Sequence, residues 1–241
     1  MADQLQFTQD GAVARLVINR PDEGNVISLA MLREMTGLIT DAGNDPDTKL
    51  ILLSGKGDDF SRGRDPKGAP EKGPVTARDI KGTLMDTILG FYAAVRDAEI
   101  PVLAAVKGTT NGMACATASI CDVTIAADDA RFSLPEMKGG IAPTLAIYAH
   151  IDRIPAKALL WLVYSTEQIT ADAALGYGLV SRVLPSADFA QGVEAFVKTM
   201  SGYERSDIAA CKQYLWRARQ MEPRASSDLA GNMLAVLLSS K

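Results

Sequence analysis

The residues between positions 12 and 53 alternate between two short β-rich runs and one helix, which limits the folds that the chain can adopt. The β-rich runs cover residues 12–19 and 50–53. Between them Ser28 can cap a helix, whose apolar residues recur at helical spacing until Gly43-Asn44-Asp45-Pro46. Strand, helix and strand in this order are typical of a sheet covered by helices, so we predict an α/β fold.

The rest of the chain continues this alternation. Residues 56–74 combine glycines, prolines and charges, which predicts a long loop. Further strands are predicted at 102–106 and 123–126, and further helices at 76–97, 113–121, 146–151, 155–164, 187–200 and 205–219.

Composition excludes several classes of protein. The net charge of -4 and the pI near 5.1 argue against nucleic acid as a partner. No window approaches the roughly 20 apolar residues of a membrane span, and the start Met1-Ala2-Asp3-Gln4 lacks the regions of a secretory signal. The three cysteines are odd in number and lack CxxC spacing, so we expect buried thiols, no zinc site and a cytoplasmic protein.

Two turns follow two of the predicted strands and could bind an anion. Phe60-Ser61-Arg62-Gly63-Arg64-Asp65 comes after the strand at 50–53, and Lys107 to Met113 comes after the strand at 102–106 and opens a helix. Backbone amides in such turns can approach a ligand beyond the carboxyl ends of the strands, and the helix dipole favours negative charge there. Either turn alone is also compatible with a surface loop or an ordinary helix start. Together they could supply two amides to one oxygen, which is an oxyanion hole.

Five segments, taken in order, resemble the successive motifs of the enoyl-CoA hydratase/isomerase (crotonase) family. These segments are Ile18-Asn19-Arg20-Pro21, Phe60 to Asp65, Gly108 to Asp122, Phe132-Ser133-Leu134-Pro135-Glu136, and Ala174 to Val180. The resemblance spans roughly residues 10 to 220. Five motifs in the family's order are far more specific than any one of them.

The resemblance implies a spiral of repeated ββα units with a C-terminal helical region that mediates trimers, often paired into hexamers. We therefore expect a core at residues 1–190 that binds acyl-CoA, and a helical oligomerisation region at residues 191–241. The implied partner is an acyl-CoA thioester. Coenzyme A belongs to this substrate, and no separate cofactor is expected.

The resemblance also implies roles for individual residues. The oxyanion-hole amides fall on Arg64 and Met113, and the loop Arg64-Asp65-Pro66-Lys67 borders the CoA. The family usually has a small residue at the first of these amide positions and glycine at the second, so the pocket here can be narrower.

Two more side chains match family positions. Glu136 matches the acid/base glutamate, which an apolar cleft would desolvate toward a higher pKa. Its other interpretation is a helix-initiating carboxylate after Pro135. Lys212 resembles a late lysine that reaches CoA phosphates across a subunit interface, and the alternative for it is a solvated helix face. The single histidine, His150, is expected to pack rather than to catalyse.

One departure from the family pattern favours a particular reaction. The hydratases place a second glutamate at the position of Ala116, and hydration benefits from two carboxylates. A single base suffices to move a double bond, with the enolate held in the oxyanion hole, so we predict an isomerase. Thr144 stands where dehalogenating and dienoyl-isomerising relatives carry aspartate, which disfavours those reactions.

Three alternatives stay open. Hydration could use a substitute carboxylate from the 66–80 loop, through Glu71 or Asp79. Thioester hydrolysis by a water that Glu136 activates is the second. The third is a catalytically weak CoA-binding subunit.

Overall fold

The computed structural model describes residues 4–67 and 76–240. Its strands are β1 Leu5–Asp10, β2 Val13–Ile18, β3 Leu50–Gly55, β4 Val102–Val106, β5 Thr109–Asn111, β6 Val123–Ala127, β7 Arg131–Ser133, β8 Ile169–Thr170 and β9 Arg182–Leu184. Its α-helices are α1 Leu29–Asn44, α2 Ala77–Ile80, α3 Asp86–Asp97, α4 Met113–Ile120, α5 Thr144–His150, α6 Ala156–Ser165, α7 Ala171–Tyr177, α8 Phe189–Ser201, α9 Arg205–Ala218 and α10 Pro223–Ser239. One π-helical turn, Lys81–Met85, and 3-10 turns at Pro21–Glu23, Pro135–Gly139 and Ser186–Asp188 complete the described elements.

The strands form two sheets, and the chain passes repeatedly from one to the other. The larger sheet has the order β1-β2-β3-β4-β6-β9, in which β1 is antiparallel to β2 and the other pairs are parallel. The smaller sheet has the order β5-β7-β8. From β4 the chain enters β5 and then α4, and from β6 it enters β7 and then the helical segment beyond it. These are the ββα units that the family resemblance implies, so the predicted fold class is confirmed.

Alternate residues of the parallel strands point to opposite faces of the larger sheet, and β3 is buried on both of them. Ile51 and Leu53 belong to the main core, together with the apolar faces of α1, α3 and α4. Leu50 and Leu52 belong to a second core, which α8 closes with Val193 and Val197. Because β3 and β4 are parallel neighbours, the turns that follow them emerge at the same edge of the sheet.

The helices that the sequence predicts are present in the structure, and one of them is interrupted. Ser28 caps α1 as predicted, since its side chain accepts a hydrogen bond from the Met31 amide. The helix predicted at 76–97 is interrupted, because the turn Lys81–Met85 is π-helical. The segment begins with a capping box, in which Thr76 and Asp79 bond each other's backbone amides.

Several elements carry too weak a sequence signal to be predicted. Strand β1 is an edge strand whose residues other than Leu5 are exposed, so it shows no alternation. The strands of the smaller sheet have only two or three residues each. Helix α10 has no buried residue, and its apolar side chains do not mark a core face.

Two expectations from composition can be compared with the structure. Cys115 and Cys121 are buried as expected, but Cys211 is exposed, so the expectation of buried thiols is wrong for that residue. No helix in residues 4–67 or 76–240 combines the length and apolar character needed to cross a bilayer.

Candidate active site

Gly112, between β5 and α4, has a backbone that only glycine adopts readily. Its φ is +54° and its ψ is -119°, and its amide donates to the Ser133 carbonyl. A Cβ atom at this position would lie 2.8 Å from Oε1 of Glu136. The glycine therefore permits both the sharp turn into α4 and the close approach of a carboxylate.

The turn that follows β3 lies directly against the turn that follows β4. Ser61 accepts a hydrogen bond from the Asn111 amide and donates its own amide to the Thr109 carbonyl, at 3.2 Å each. Gly63 has a φ of +101°, and a Cβ atom on it would lie 2.7 Å from the Asn111 oxygen and 3.7 Å from the Met113 nitrogen. The two Gly-marked turns of the sequence thus meet in space.

Arg64 and Met113 each present a backbone amide that is not used within the described chain. The Ile27 amide donates to Gly63, and the Asp65 amide donates to Ile27, which leaves the Arg64 amide on the other side of this strand-like segment. Met113 is the first residue of α4, so its amide has no partner within the helix. In residues 4–67 and 76–240 no hydrogen bond uses either amide. Two free amides on touching turns, one of them at a helix N-terminus, can stabilise a developing oxyanion.

Glu136 is held beside these turns by the 3-10 turn that Pro135 starts. The preceding residue, Leu134, is fully buried, and Pro135 suits the first position of the turn. Oxygen Oε2 of Glu136 is buried and has no hydrogen-bond partner among the described residues. Burial raises the pKa of Glu136 above its ordinary value, although a hydrogen bond from its own backbone amide opposes this. A carboxylate with one free oxygen and a raised pKa is suited to take up and return a proton.

A cavity of about 500 Å³ joins these groups, and its wall includes Gly112, Met113, Arg64 and Glu136. The rest of the wall is largely apolar, and α3, the turn before it and the segment 141–146 supply it through Leu84, Met85, Ile88, Ile141, Leu145 and Ala146. An apolar cavity with a few convergent polar groups is the usual form of a small-molecule site. Glu136 is the single carboxylate that lines it within the described part of the chain.

The loop predicted to border CoA divides into an internal part and an exposed part. The Asp65 carboxylate is buried and bonds Arg20 at 2.9 Å and the Lys67 amide at 2.9 Å. Burial alone would raise the pKa of Asp65, but the Lys67 amide and the Arg20 guanidinium together hold it below its ordinary value. The Asp65 side chain therefore braces the loop, whereas Pro66 and Lys67 are exposed. The border with CoA stays a prediction.

Lys212 does not lie at this cavity, and its predicted contact with CoA across a subunit interface stays a prediction. Its side chain is 4% exposed, and its ammonium group bonds Asp122 Oδ2 at 2.9 Å, the Val95 carbonyl at 2.9 Å and the Ile100 carbonyl at 3.1 Å. An ammonium group has three protons to donate, and all three are used inside the chain. The solvated helix face, which was the alternative, is excluded by the same burial.

Other residues singled out in the sequence have structural positions. His150 is fully buried, and its Nδ1 donates to the Ala146 carbonyl at 2.7 Å, which leaves Nε2 to accept from the Cys115 thiol at 3.6 Å. Burial lowers the pKa of His150 to about 4. Ala116 is fully buried, and Asp79 is engaged in the capping box with Thr76, so neither brings a second carboxylate to the cavity. Glu71 lies outside the described residues.

Sequence reasoning missed one polar residue of the cavity, Tyr92. It lines the wall from α3 and is 1% exposed. The signal that could have found it is its spacing, since Met85, Ile88 and Tyr92 recur at helical intervals along one face. That pattern alone predicts a core face, and it does not tell a cavity wall from a packed interior.

Comparisons with known proteins agree with this geometry. Residues 8–240 match the model of a family described as enoyl-CoA hydratase/isomerase. A probable enoyl-CoA hydratase, echA8, from Mycobacterium bovis is 33% identical over 217 residues, which are 90% of this chain and 82% of that protein.

Two solved structures share the fold. The human enoyl coenzyme A hydratase domain-containing protein 3 superposes with a TM-score of 0.91 at 24% identity, covering 98% of this chain and 92% of that one. A putative enoyl-CoA hydratase from Thermobifida fusca, solved in complex with CoA, superposes with a TM-score of 0.85 at 23% identity, covering 98% and 93%.

Proposed function

Since this chain belongs to the enoyl-CoA hydratase/isomerase family, we propose that it binds acyl-CoA thioesters and moves their double bond from the 3,4 to the 2,3 position. The observation that carries the proposal is the Glu136 carboxylate, whose buried Oε2 has no partner among the described residues, beside two free amides in a largely apolar cavity. The thioester carbonyl accepts hydrogen bonds from the Arg64 and Met113 amides. The CoA part of the bound thioester extends out of the cavity along the exposed loop at Pro66 and Lys67.

The reaction needs one base that gives back the proton it takes. Glu136 removes a proton from the second carbon of a 3-enoyl thioester, and the electrons of the C–H bond move into the carbonyl to form an enolate. The two amides stabilise the negative charge on its oxygen. Protonated Glu136 then returns the proton to the fourth carbon, and the double bond settles between the second and third carbons. The raised pKa of Glu136 suits both steps, because a general base that must also return the proton works best when its pKa lies closer to the working pH.

Isomerisation is preferred to hydration because hydration would need a second acid or base. Within the described residues, no carboxylate other than Glu136 lines the cavity. The position where hydratases carry a second glutamate is the buried Ala116. Of the substitutes considered, Asp79 caps its own helix, and Glu71 lies outside the described residues.

Hydration of 2-enoyl thioesters is the second candidate, because the relative from Mycobacterium bovis is named a probable hydratase. Thioester hydrolysis and binding without turnover remain further outcomes of the same experiment. We also propose, on the family resemblance, a cytoplasmic homotrimer or hexamer.

The experiment is a panel of saturated, 2-enoyl and 3-enoyl CoA thioesters incubated with the purified protein. Isomerisation appears as the ultraviolet absorbance of the conjugated thioester at unchanged mass, hydration as the added mass of one water, and hydrolysis as free thiol. We expect isomerisation, and we expect Glu136→Gln to lower its kcat/KM by about 10²–10⁴-fold. The exposed Glu167 supplies the matched control, Glu167→Gln, which should retain wild-type activity. Unchanged 3-enoyl thioesters would refute the proposal.

A further inference from the structure

One face of the segment 85–92 forms a wall of the cavity, and its last residue is the deepest. Met85 is half-buried, Ile88 is 6% exposed and Tyr92 is 1% exposed. Exposure therefore falls along this face from the mouth to the interior. Tyr92 therefore lies at the inner end of this wall.

The Tyr92 hydroxyl has no partner among the described residues, although the side chain is almost completely buried. No hydrogen bond within residues 4–67 and 76–240 uses the phenol oxygen. The oxygen also does not belong to the fully enclosed polar atoms of those residues, so it keeps access to the cavity. Once a bound acyl chain displaces water from this part of the cavity, a hydroxyl without a partner carries the cost of an unmade hydrogen bond. A ligand atom that accepts its proton removes that cost.

Neighbouring aromatic rings hold Tyr92 in place. The Tyr148 ring stacks on it with centroids 6.5 Å apart and an angle of 24°, and Phe91 lies at 6.0 Å with an angle of 54°. Arg96 fixes Tyr148 in turn, because it donates to the Tyr148 hydroxyl at 2.6 Å and lies 5.0 Å from the ring centroid. These contacts hold the phenol ring of Tyr92 at the cavity wall.

The cavity also decides which kind of acceptor fits. Burial and the nearby charge of Glu136 raise the pKa of Tyr92, so the phenol stays protonated and acts as a donor. A second carboxylate in the same cavity would be repelled by Glu136. The acceptor that suits this place is therefore a neutral oxygen. The other hydroxyl of the described wall, on Thr144, is exposed and does not lie in the interior.

We propose that the Tyr92 hydroxyl donates a hydrogen bond to a neutral oxygen on the acyl chain, so that the pocket selects chains with a hydroxyl or keto group over pure hydrocarbon chains. Tyr92 is thereby a specificity-determining residue. The inference rests on the proposed function for the CoA thioester but does not depend on turnover.

The test uses the dissociation constants of saturated thioesters, which the proposed reaction leaves unchanged. The probes are hexanoyl-CoA and hydroxyhexanoyl-CoA thioesters with the hydroxyl on the fourth, fifth or sixth carbon, measured by calorimetry. We expect wild type to bind at least one hydroxylated probe about tenfold more tightly than hexanoyl-CoA. Tyr92→Phe removes only the oxygen, and it should bind all probes with similar constants while its affinity for hexanoyl-CoA is retained. Tyr164→Phe removes an exposed phenol outside the cavity wall and should keep the preference.

The outcomes separate this inference from the proposed function. Equal affinities for all probes in wild type, or a preference that survives in Tyr92→Phe, would overturn the role of Tyr92 and leave the reaction standing. A Tyr92-dependent preference in a protein that does not isomerise 3-enoyl thioesters would support the role and overturn the reaction. If no probe binds, the role of Tyr92 and the proposed function on acyl-CoA thioesters are both refuted.

Discussion

Replacing Gly112 by alanine tests whether the turn and the carboxylate are as tightly fitted as the structure indicates. The backbone there has a φ of +54°, and forcing a residue with a side chain into such a conformation costs about 1–3 kcal/mol. The new Cβ atom would also lie 2.8 Å from Glu136 Oε1. To restore an ordinary contact of 3.4 Å, the carboxylate must retreat by about 0.6 Å.

These two effects have separate readouts. We expect urea denaturation to show a loss of about 1–3 kcal/mol in the free energy of unfolding. Since a displacement of about 1 Å can reduce turnover about 10²-fold, the movement of Glu136 should lower kcat roughly tenfold. Gly90→Ala is the control, because Gly90 lies exposed within α3 and a Cβ atom there meets nothing within 4 Å. It should stabilise the protein by about 0.5–1 kcal/mol and leave kcat unchanged.

Two results would refute the reasoning. Gly112→Ala with wild-type stability would mean that the turn tolerates a side chain. A destabilised Gly112→Ala with wild-type kcat would mean that the position of Glu136 beside Gly112 does not matter for turnover.

Three further predictions concern titration and buried charge. Because burial raises the pKa of Glu136 and the base must be ionised, kcat/KM should fall as the pH falls through a pKa above the ordinary glutamate value of about 4.3. An inflection of the pH profile at that ordinary value would contradict the claim that burial raises the pKa of Glu136. His150 has a folded-state pKa of about 4 against 6.5 for the free group, so up to about 3 kcal/mol of the stability present above pH 6.5 is lost as the pH falls toward 4. Urea denaturation of wild type and His150→Gln checks this, and the free energy of unfolding of the variant should lack this dependence on pH. Lys212→Met leaves Asp122, whose side chain is 14% exposed, without its ion pair and should lower the free energy of unfolding by about 3–5 kcal/mol with CoA affinity intact. A stable variant that no longer binds CoA would instead support the family role of this lysine.

The sequence predicts the larger sheet and its covering helices because long elements repeat a pattern. Strand β3 and helix α1 are clear from apolar runs, helical spacing and the Ser28 cap. Strand β1 and the short strands of the smaller sheet are not predictable in this way. Their pairing is set by partners distant in the chain, such as the parallel register of Thr110 with Phe132.

The candidate site is predictable where its residues are backbone or motif positions. The turns at Gly63 and Gly112 and the carboxylate of Glu136 are recognised from order and spacing, and the structure brings all three together. Lys212 could not be predicted, because its burial depends on carbonyl groups of Val95 and Ile100 more than 100 positions away.

Tyr92 is a second residue whose position the sequence does not predict. Its helical spacing is that of an ordinary core residue, and its role depends on an empty volume that no sequence pattern describes. The unpaired hydroxyl is apparent once the partners of every polar atom in the described chain are known.

The most direct test of a single proton-shuttling carboxylate is the conversion of a 3-enoyl-CoA thioester in D₂O, followed by mass spectrometry and ultraviolet absorbance. If Glu136 carries the proton from the second to the fourth carbon inside a cavity that excludes water, wild type should form conjugated thioester, part of which keeps the mass of the substrate. Glu136→Gln should form almost none. Conjugated thioester made by Glu136→Gln at the wild-type rate would contradict the account.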